Sequence, residues 1–254
     1  MIDLKGQVAL VTGASRGIGR ATALRLAEAG ADVIVNFVTS QKAATEVAEQ
    51  VQQLGRRAAT VKADVSEYDD INAMVEFVRE RFGRLDILVS NAAGGGFRSL
   101  LDTNARHFEA AMNTNVRALL YLVQASIDML GREQGRSKVI ALSSHGSHLA
   151  LPAYGTIGAS KAALESMVRH LALELGNRGV NFNVVLAGLV ATDSTRNLPQ
   201  AEAMFAAAAD KTMVGRRPLL PEDVANAVAF LASPLADLVQ GQTIVVDGGE
   251  GIHP

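Results

Sequence analysis

Gln7-Val8-Ala9-Leu10-Val11-Thr12-Gly13-Ala14-Ser15-Arg16-Gly17-Ile18-Gly19 decides how the rest of the chain is read. An apolar run of strand length breaks at glycine, and a helical pattern follows through Ala21, Leu24, Leu26 and Ala27. A strand, a glycine-rich turn and a helix in that order make an anion-binding element. The first backbone N–H groups of a helix lack internal partners and point at the ligand. Glycine at 13, 17 and 19 permits a tight turn and close backbone approach. The plainer reading, a glycine-rich turn and nothing more, is weakened by the flanking strand and helix.

Outward from that turn the same alternation continues. Asp32 to Phe37 reads as a second strand, followed by a helix from about Gln41 to Leu54. Ala58 to Lys62, Leu85 to Val89, Val139 to Leu142, Val180 to Leu186 and Gly241 to Gly249 read as the next five strands. Helical patterns lie between them, among them Tyr68 to Phe82 and a long one from Asn104 to Leu130. Strands alternating with helices predict an α/β fold with a seven-stranded parallel sheet covered by helices on both faces. Asn113 and Asn115 sit inside the long helical pattern, where Asn is a poor helix former, and predict a kink or a water-holding site. Residues from about Asp193 to Met213, rich in Ala and Met, break the alternation. They read as a small helical substrate lid, with ordinary surface packing as the alternative. No linker or repeat divides residues 1–254, so one dinucleotide-binding catalytic domain is expected.

Composition narrows the function. With 254 residues, 48% of them apolar, a net charge of −2 and a pI near 6.2, the chain lacks the basic tract that nucleic-acid binding needs. It has no cysteine, which excludes disulfides, thiolate metal sites and a cysteine nucleophile. No apolar run reaches the roughly 18 residues of a membrane span, and Met1 is not followed by a signal-peptide pattern. A cytoplasmic protein is expected.

Cofactor type is read where the second strand ends. An acidic residue there would hold a ribose 2′-hydroxyl and repel a 2′-phosphate. This chain has Asn36-Phe37-Val38-Thr39-Ser40, with Arg16 and Lys42 nearby, which favours NADP(H). Asp64, after the third strand, is placed to accept from the adenine amino group, or else Asp64 or Ser66 caps a helix. Ser90 to Gly96 offers a stretch of small residues against which a ligand lies, or a plain flexible loop.

The chemistry is expected between Lys138 and Glu174. A strand ends in Ser143-Ser144, a loop carries Gly146 and Pro152, and Tyr154 precedes a helical pattern holding Lys161. Tyr154 and Lys161 share a helix face, but their separation is roughly 10 Å along the axis, against about 6 Å for a four-residue spacing. His145 and His148 flank Gly146-Ser147; they lack metal-site spacing and read as solvent-exposed loop histidines, with a general-acid role for either as the alternative.

Thr12 to Gly19, Asn91-Ala92-Ala93-Gly94, Asn115, and Ser144 with Tyr154 and Lys161, in that order, resemble the short-chain dehydrogenase/reductase superfamily over essentially the whole chain. The resemblance implies a single-domain Rossmann fold and a nicotinamide cofactor. Most members place the tyrosine four residues before the lysine, where this chain has Ile157. The seven-residue spacing, the Asn91-Ala92-Ala93 variant and the run Ile157 to Glu165 are most similar to NADPH-dependent type III enoyl-acyl-carrier-protein reductases. Ala187-Gly188 stands where the superfamily commonly has Pro-Gly, so the loop after the sixth strand is expected to differ in shape.

A displaced phenol suits conjugate reduction. In a ketone, the atom receiving hydride and the oxygen receiving the proton are bonded neighbours. In an enoyl thioester, hydride goes to the β-carbon while charge develops on the more distant carbonyl oxygen. Tyr154 is therefore expected to bond the enolate oxygen, and Lys161 to hold the nicotinamide ribose and lower the tyrosine pKa. The resemblance further implies that Ser144 orients the thioester, with a strand-end hydroxyl bonded to backbone as the alternative, and that Asn115 holds a water linking Lys161 to solvent. It implies cofactor contacts from Gly13, Ser15, Arg16, Ile18, Gly19, Asp64, Val65, Asn91, Ala92, Lys161, Val190 and Thr192, and no metal. The substrate is then an acyl thioester, on an acyl carrier protein in fatty acid or polyketide synthesis, and the assembly a homotetramer. A short-chain carbonyl reductase acting on 3-ketoacyl, steroid or sugar carbonyls is the second reading, and a non-catalytic NADP(H) sensor the third.

Overall fold

The computed structural model describes residues 2–131, 135–196 and 200–252. Seven parallel strands form one sheet: β1 (Val8–Val11), β2 (Asp32–Phe37), β3 (Ala58–Lys62), β4 (Ile87–Ser90), β5 (Ser137–Ser144), β6 (Val180–Ala187) and β7 (Thr243–Val246). Their spatial order is β3-β2-β1-β4-β5-β6-β7. The order reverses between β1 and β4, where Val11 pairs with Val89. In an open parallel sheet this reversal leaves a crevice beyond the carboxyl ends of the strands, and the glycine turn opens into it.

Both faces of the sheet are buried, which explains why its strands read as continuous apolar runs. Ala9 and Val11 pack on one face with α1 (Gly17–Glu28), α2 (Gln41–Gln53) and α9 (Pro221–Ala232), through Leu26, Val47, Val51, Val224 and Val228. Val8 and Leu10 pack on the other with α3 (Tyr68–Phe82), α5 (Ala118–Leu130) and α6 (Gly155–Leu175), through Ile71, Met74, Leu119, Leu122, Leu164 and Val168. Neighbouring residues on a strand thus serve opposite cores, as the two-residue period of a strand requires. Each of these large buried side chains contributes roughly 1.5–3 kcal/mol.

The long helical pattern is divided. α4 (Ala105–Met112) begins at a capping box in which Asn104 Oδ1 accepts from His107 N at 3.1 Å. A π-turn at Asn113–Arg117 then separates it from α5. The kink expected from the two asparagines is this turn, and such turns recur at functional sites.

After β6 come α7 (Asp193–Arg196) and α8 (Ala201–Lys211); Asn197, Leu198 and Pro199 of the expected lid lie outside the described residues. Met213, just past α8, donates its N–H to Gly248 O at 2.8 Å, tying the segment to the turn after β7. No helix among the described residues is long and apolar enough to cross a membrane.

Candidate active site

The glycine turn has no room for side chains. Gly13 and Gly17 have φ of +61° and +56°, the left-handed region that glycine alone adopts freely. A Cβ on Gly19 would lie 2.4 Å from Gly13 O and 2.5 Å from Asn91 Nδ2. Asn91 closes the crevice floor by donating Nδ2 to Thr12 O at 2.8 Å, and Thr12 Oγ1 accepts from the backbone of Asn91 and Ala92 at 3.0 Å each. Thr192 packs where a Cβ on Gly17 would sit. Around this cradle Ser15 and Ile18 are half-buried, Arg16 is exposed, and Val190 is buried and bridges to Leu219. A backbone so bare at the N-terminus of α1 fits the pyrophosphate of a dinucleotide.

Asn36 has a task that the missing acid at the end of β2 did not suggest. It is buried, accepts from Gly13 N at 3.1 Å and donates to Ala63 O at 3.0 Å, so one side chain links the ends of three strands. A polar residue inside an apolar strand was the only signal. Asp64 is not the helix cap. The N-cap of α3 is Glu67, and Asp64 Oδ1 instead closes a turn by accepting from Ser66 N and Oγ at 2.9 and 2.8 Å. Val65 beside it is buried.

Tyr154 is the N-cap of α6, not part of the helix. Ala153 before it has φ +56°, and its carbonyl accepts from Arg98 N at 2.8 Å, which holds the chain in that strained turn. The tyrosine ring packs against Gly146, where a Cβ would come within 2.3 Å of it, and the Phe97 ring centroid is 5.6 Å away. The phenol oxygen meets Ser144 Oγ at 2.9 Å, and either is able to donate. Ser144 therefore bonds the phenol, not merely strand-end backbone. Ile157, at the four-residue spacing, is buried against Gly95.

Lys161 is buried and donates to Leu142 O at 2.7 Å. Burial lowers its pKa to about 8, with Glu165 one turn on acting in the opposite direction. Glu165 is itself held by a short bond from Ser143 Oγ. The expectation that Lys161 lowers the tyrosine pKa is corrected here. Burial raises the Tyr154 pKa, only Ser144 opposes it, and the ammonium is turned toward the end of β5. The phenol therefore stays protonated.

Two neighbouring polar side chains are held by partners distant in sequence. Asn115 Oδ1 accepts from Gly94 N at 2.9 Å, and its amide hydrogens go to Gly94 O and Ser160 Oγ at 2.9 and 2.8 Å. Both hydrogens of its amide are taken, so its side chain braces the β4–α4 loop. His148 is exposed as expected, but His145 is buried, with Nε2 2.9 Å from Asp247 Oδ2. The residue after β7 folds back over it, a contact between positions 102 residues apart that spacing along the chain does not reveal. Gly188 also finds its reason there, because a Cβ on it would lie 2.9 Å from Asp247 Cβ.

Apolar side chains rim the Tyr154 end. Phe97, Leu100 and Leu101 from the loop before α4, and Leu149 and Leu151 from the loop before α6, are exposed. Among the described residues, no three or more His, Asp or Glu are grouped to hold a metal ion.

Comparison with known proteins agrees with this geometry. The family described as enoyl-(acyl carrier protein) reductase matches residues 13–250. The 1-cyclohexenylcarbonyl-CoA reductase of Streptomyces collinus is 37% identical over 248 residues, covering 97% of this chain and 87% of that protein. A hydroxynaphthalene reductase of Aspergillus fumigatus is 35% identical over 255 residues, covering 95% and 91%. The crystal structure of a short-chain dehydrogenase from Burkholderia cenocepacia in complex with NADP superposes with a TM-score of 0.89 at 35% identity, covering 97% of this chain and 98% of that one. With its bare glycine turn, its strand order and a serine, tyrosine and lysine gathered at the strand ends, the chain belongs to the short-chain dehydrogenase/reductase superfamily and is an oxidoreductase of that type.

Proposed function

We propose that this NADP(H)-dependent oxidoreductase reduces the carbon–carbon double bond of a trans-2-enoyl thioester. One observation carries the reading: Tyr154, seven residues before Lys161, meets Ser144, while the four-residue position holds a buried isoleucine. A phenol supplied from this upstream position suits conjugate reduction, in which charge develops on an oxygen remote from the carbon that takes the hydride.

NADPH, when bound, supplies the hydride that adds to the β-carbon. Gly13, Ser15, Arg16, Ile18, Gly19, Asn91, Ala92, Val190 and Thr192 line its cradle, and Asp64 and Val65 the adenine end. Lys161 retains ammonium protons beyond its bond to Leu142 O for the ribose hydroxyls. Tyr154 donates a hydrogen bond to the thioester oxygen as negative charge gathers there, Ser144 donates into the phenol oxygen, and the enolate then takes a proton from solvent at its α-carbon to give the saturated thioester. Fixed donors aimed at developing charge contribute most when they need no reorganisation, and the ring wedged between Gly146 and Phe97 meets that condition. A phenol with a raised pKa suits a donor that must stay neutral until the oxyanion forms.

The apolar rim at Phe97, Leu100 and Leu101 suits an acyl chain, with α7 and α8 as the lid over it. The thioester carrier is then coenzyme A or an acyl carrier protein, in fatty acid or polyketide synthesis. A homotetramer is proposed through α5, α6 and the edge strand β7, whose Val245 is exposed.

A second reading, reduction of a carbonyl group such as that of a 3-ketoacyl thioester, is favoured by the likeness to an angucycline C-6 ketoreductase, 34% identical with a TM-score of 0.90. NADPH oxidation with crotonyl-CoA and with acetoacetyl-CoA separates the two. The enoyl thioester is expected to turn over far faster, and the opposite ranking overturns the proposal.

A further inference from the structure

Behind Ser144, three turns distant in sequence meet. Asp247, one residue past β7, is buried, and its Oδ1 and Oδ2 accept from Gly249 N and Gly251 N at 2.8 Å each. Oδ2 also lies 2.9 Å from Nε2 of His145, the residue after Ser144, although not in line for a full hydrogen bond. His145 Nδ1 is 3.3 Å from His148 Nε2, and His148 Nδ1 is 3.2 Å from Ser147 Oγ. On the far side of the turn Thr212 and Met213 pack where a Cβ on Gly248 or Gly249 would sit.

None of these groups reaches the reacting atoms in the chemistry above, yet they hold the turn that does. After Ser144 the chain enters a 3-10 turn, His145–Ser147, and the His145 carbonyl accepts from His148 N and Leu149 N at 3.1 and 2.8 Å. Gly146 of that turn is the floor under the Tyr154 ring. A rotation of His145 would move the Ser144 hydroxyl and the phenol's support together.

We propose that His145 and Asp247 are positioning residues. The carboxylate, anchored by two backbone N–H groups, fixes the imidazole, and the imidazole fixes the turn that aims Ser144 at Tyr154. Because Met213 rests, through Gly248, on the turn that carries Asp247, the pair also links the α8 segment to the reacting end of the site. The inference rests on reductase activity, and not on the choice between enoyl and carbonyl substrates.

The test uses the full chain and whichever substrate the wild type turns over, so a failure of the enoyl reading does not mimic a failure here. His145→Phe keeps a ring and removes both nitrogens. It is expected to lower kcat about 10- to 100-fold through misplacement of the site, with the KM for NADPH within about twofold of wild type. His145→Gln, able to donate to Asp247, is expected to recover part of the loss. Added to Ser144→Ala, His145→Phe should cost less than about threefold more, because residues acting as a unit are not additive. A wild-type kcat in His145→Phe, or a fully multiplicative loss in the double variant, overturns the proposal. Should His145→Phe fail to fold, Asp247→Asn is read the same way: a lowered kcat at unchanged KM for NADPH supports the pair, and an unchanged kcat sinks it.

Discussion

β5 carries a buried lysine at one end and meets another at the other end, and the two are held in opposite ways. Lys138 enters the strand at its amino end and pairs with Asp237 at 2.5 Å. Lys161, on α6, reaches the carboxyl end of the strand, where its direct partner is the neutral carbonyl of Leu142. Burial lowers the pKa of both, but a carboxylate in contact opposes it at Lys138, while only the more remote Glu165 does so at Lys161. A buried cation without a carboxylate in contact costs stability. Its place at the strand ends where ligands bind accords with the proposal that Lys161 is kept for a ligand, whereas the paired Lys138 is part of the frame.

The sharpest break in that comparison comes from removing each ammonium. Lys161→Ala should lower kcat about 100-fold or more, the size of effect seen when a charge-stabilising group is removed, while the thermal midpoint stays level or rises. Loss of fold with loss of activity would make Lys161 structural as well. Next in size is Gly146→Ala, whose Cβ would displace the Tyr154 ring. Steady-state kinetics should show kcat down about 10- to 100-fold, with NADPH binding, followed by fluorescence, near wild type.

A pH series sharpens the contrast through the sign of the effect. Lys161 is charged below about 8 and neutral above it, so a reaction that needs the ammonium slows by up to about tenfold per unit as pH rises past that value. Stability should respond in the opposite sense. Between about 8 and the ordinary lysine value of 10.5 the unfolded chain binds more protons than the folded one, so the Lys161 contribution to stability rises with pH. Denaturant titrations of wild type against Lys161→Met isolate that slope, and parallel curves would argue that the side chain is not desolvated.

The smallest effect is expected at Lys138. Asp237→Asn leaves a buried ammonium without its counter-charge and should cost about 1–3 kcal/mol, reduced from the fully buried case because Asp237 is 44% exposed. Lys138→Met should be close to neutral. Activity at saturating substrate should be preserved in both, and a fall in kcat would dissolve the distinction between the two ends.

Much of this was legible along the chain. Apolar strands separated by amphipathic helices imply a parallel sheet buried on both faces, and glycines at 13, 17 and 19 imply a bare helix entrance. Both follow from local geometry, which operates over a few residues. The two asparagines in one helical turn announced a break for the same reason. Sequence alone also placed Tyr154 upstream of the usual position, because Ile157 has no proton to give.

Other features belong to the folded molecule. That the Tyr154 pKa rises when a nearby lysine suggested a fall, that the Asn115 amide is consumed by Gly94 and Ser160, and that His145 lies buried against Asp247 all depend on which groups enclose a side chain once distant segments meet. Desolvation and hydrogen-bond partnership are properties of an environment, not of a residue type. The alternation of strands and helices named the end of the sheet where chemistry occurs, and only the packing there decided which donors keep their protons and which are braces.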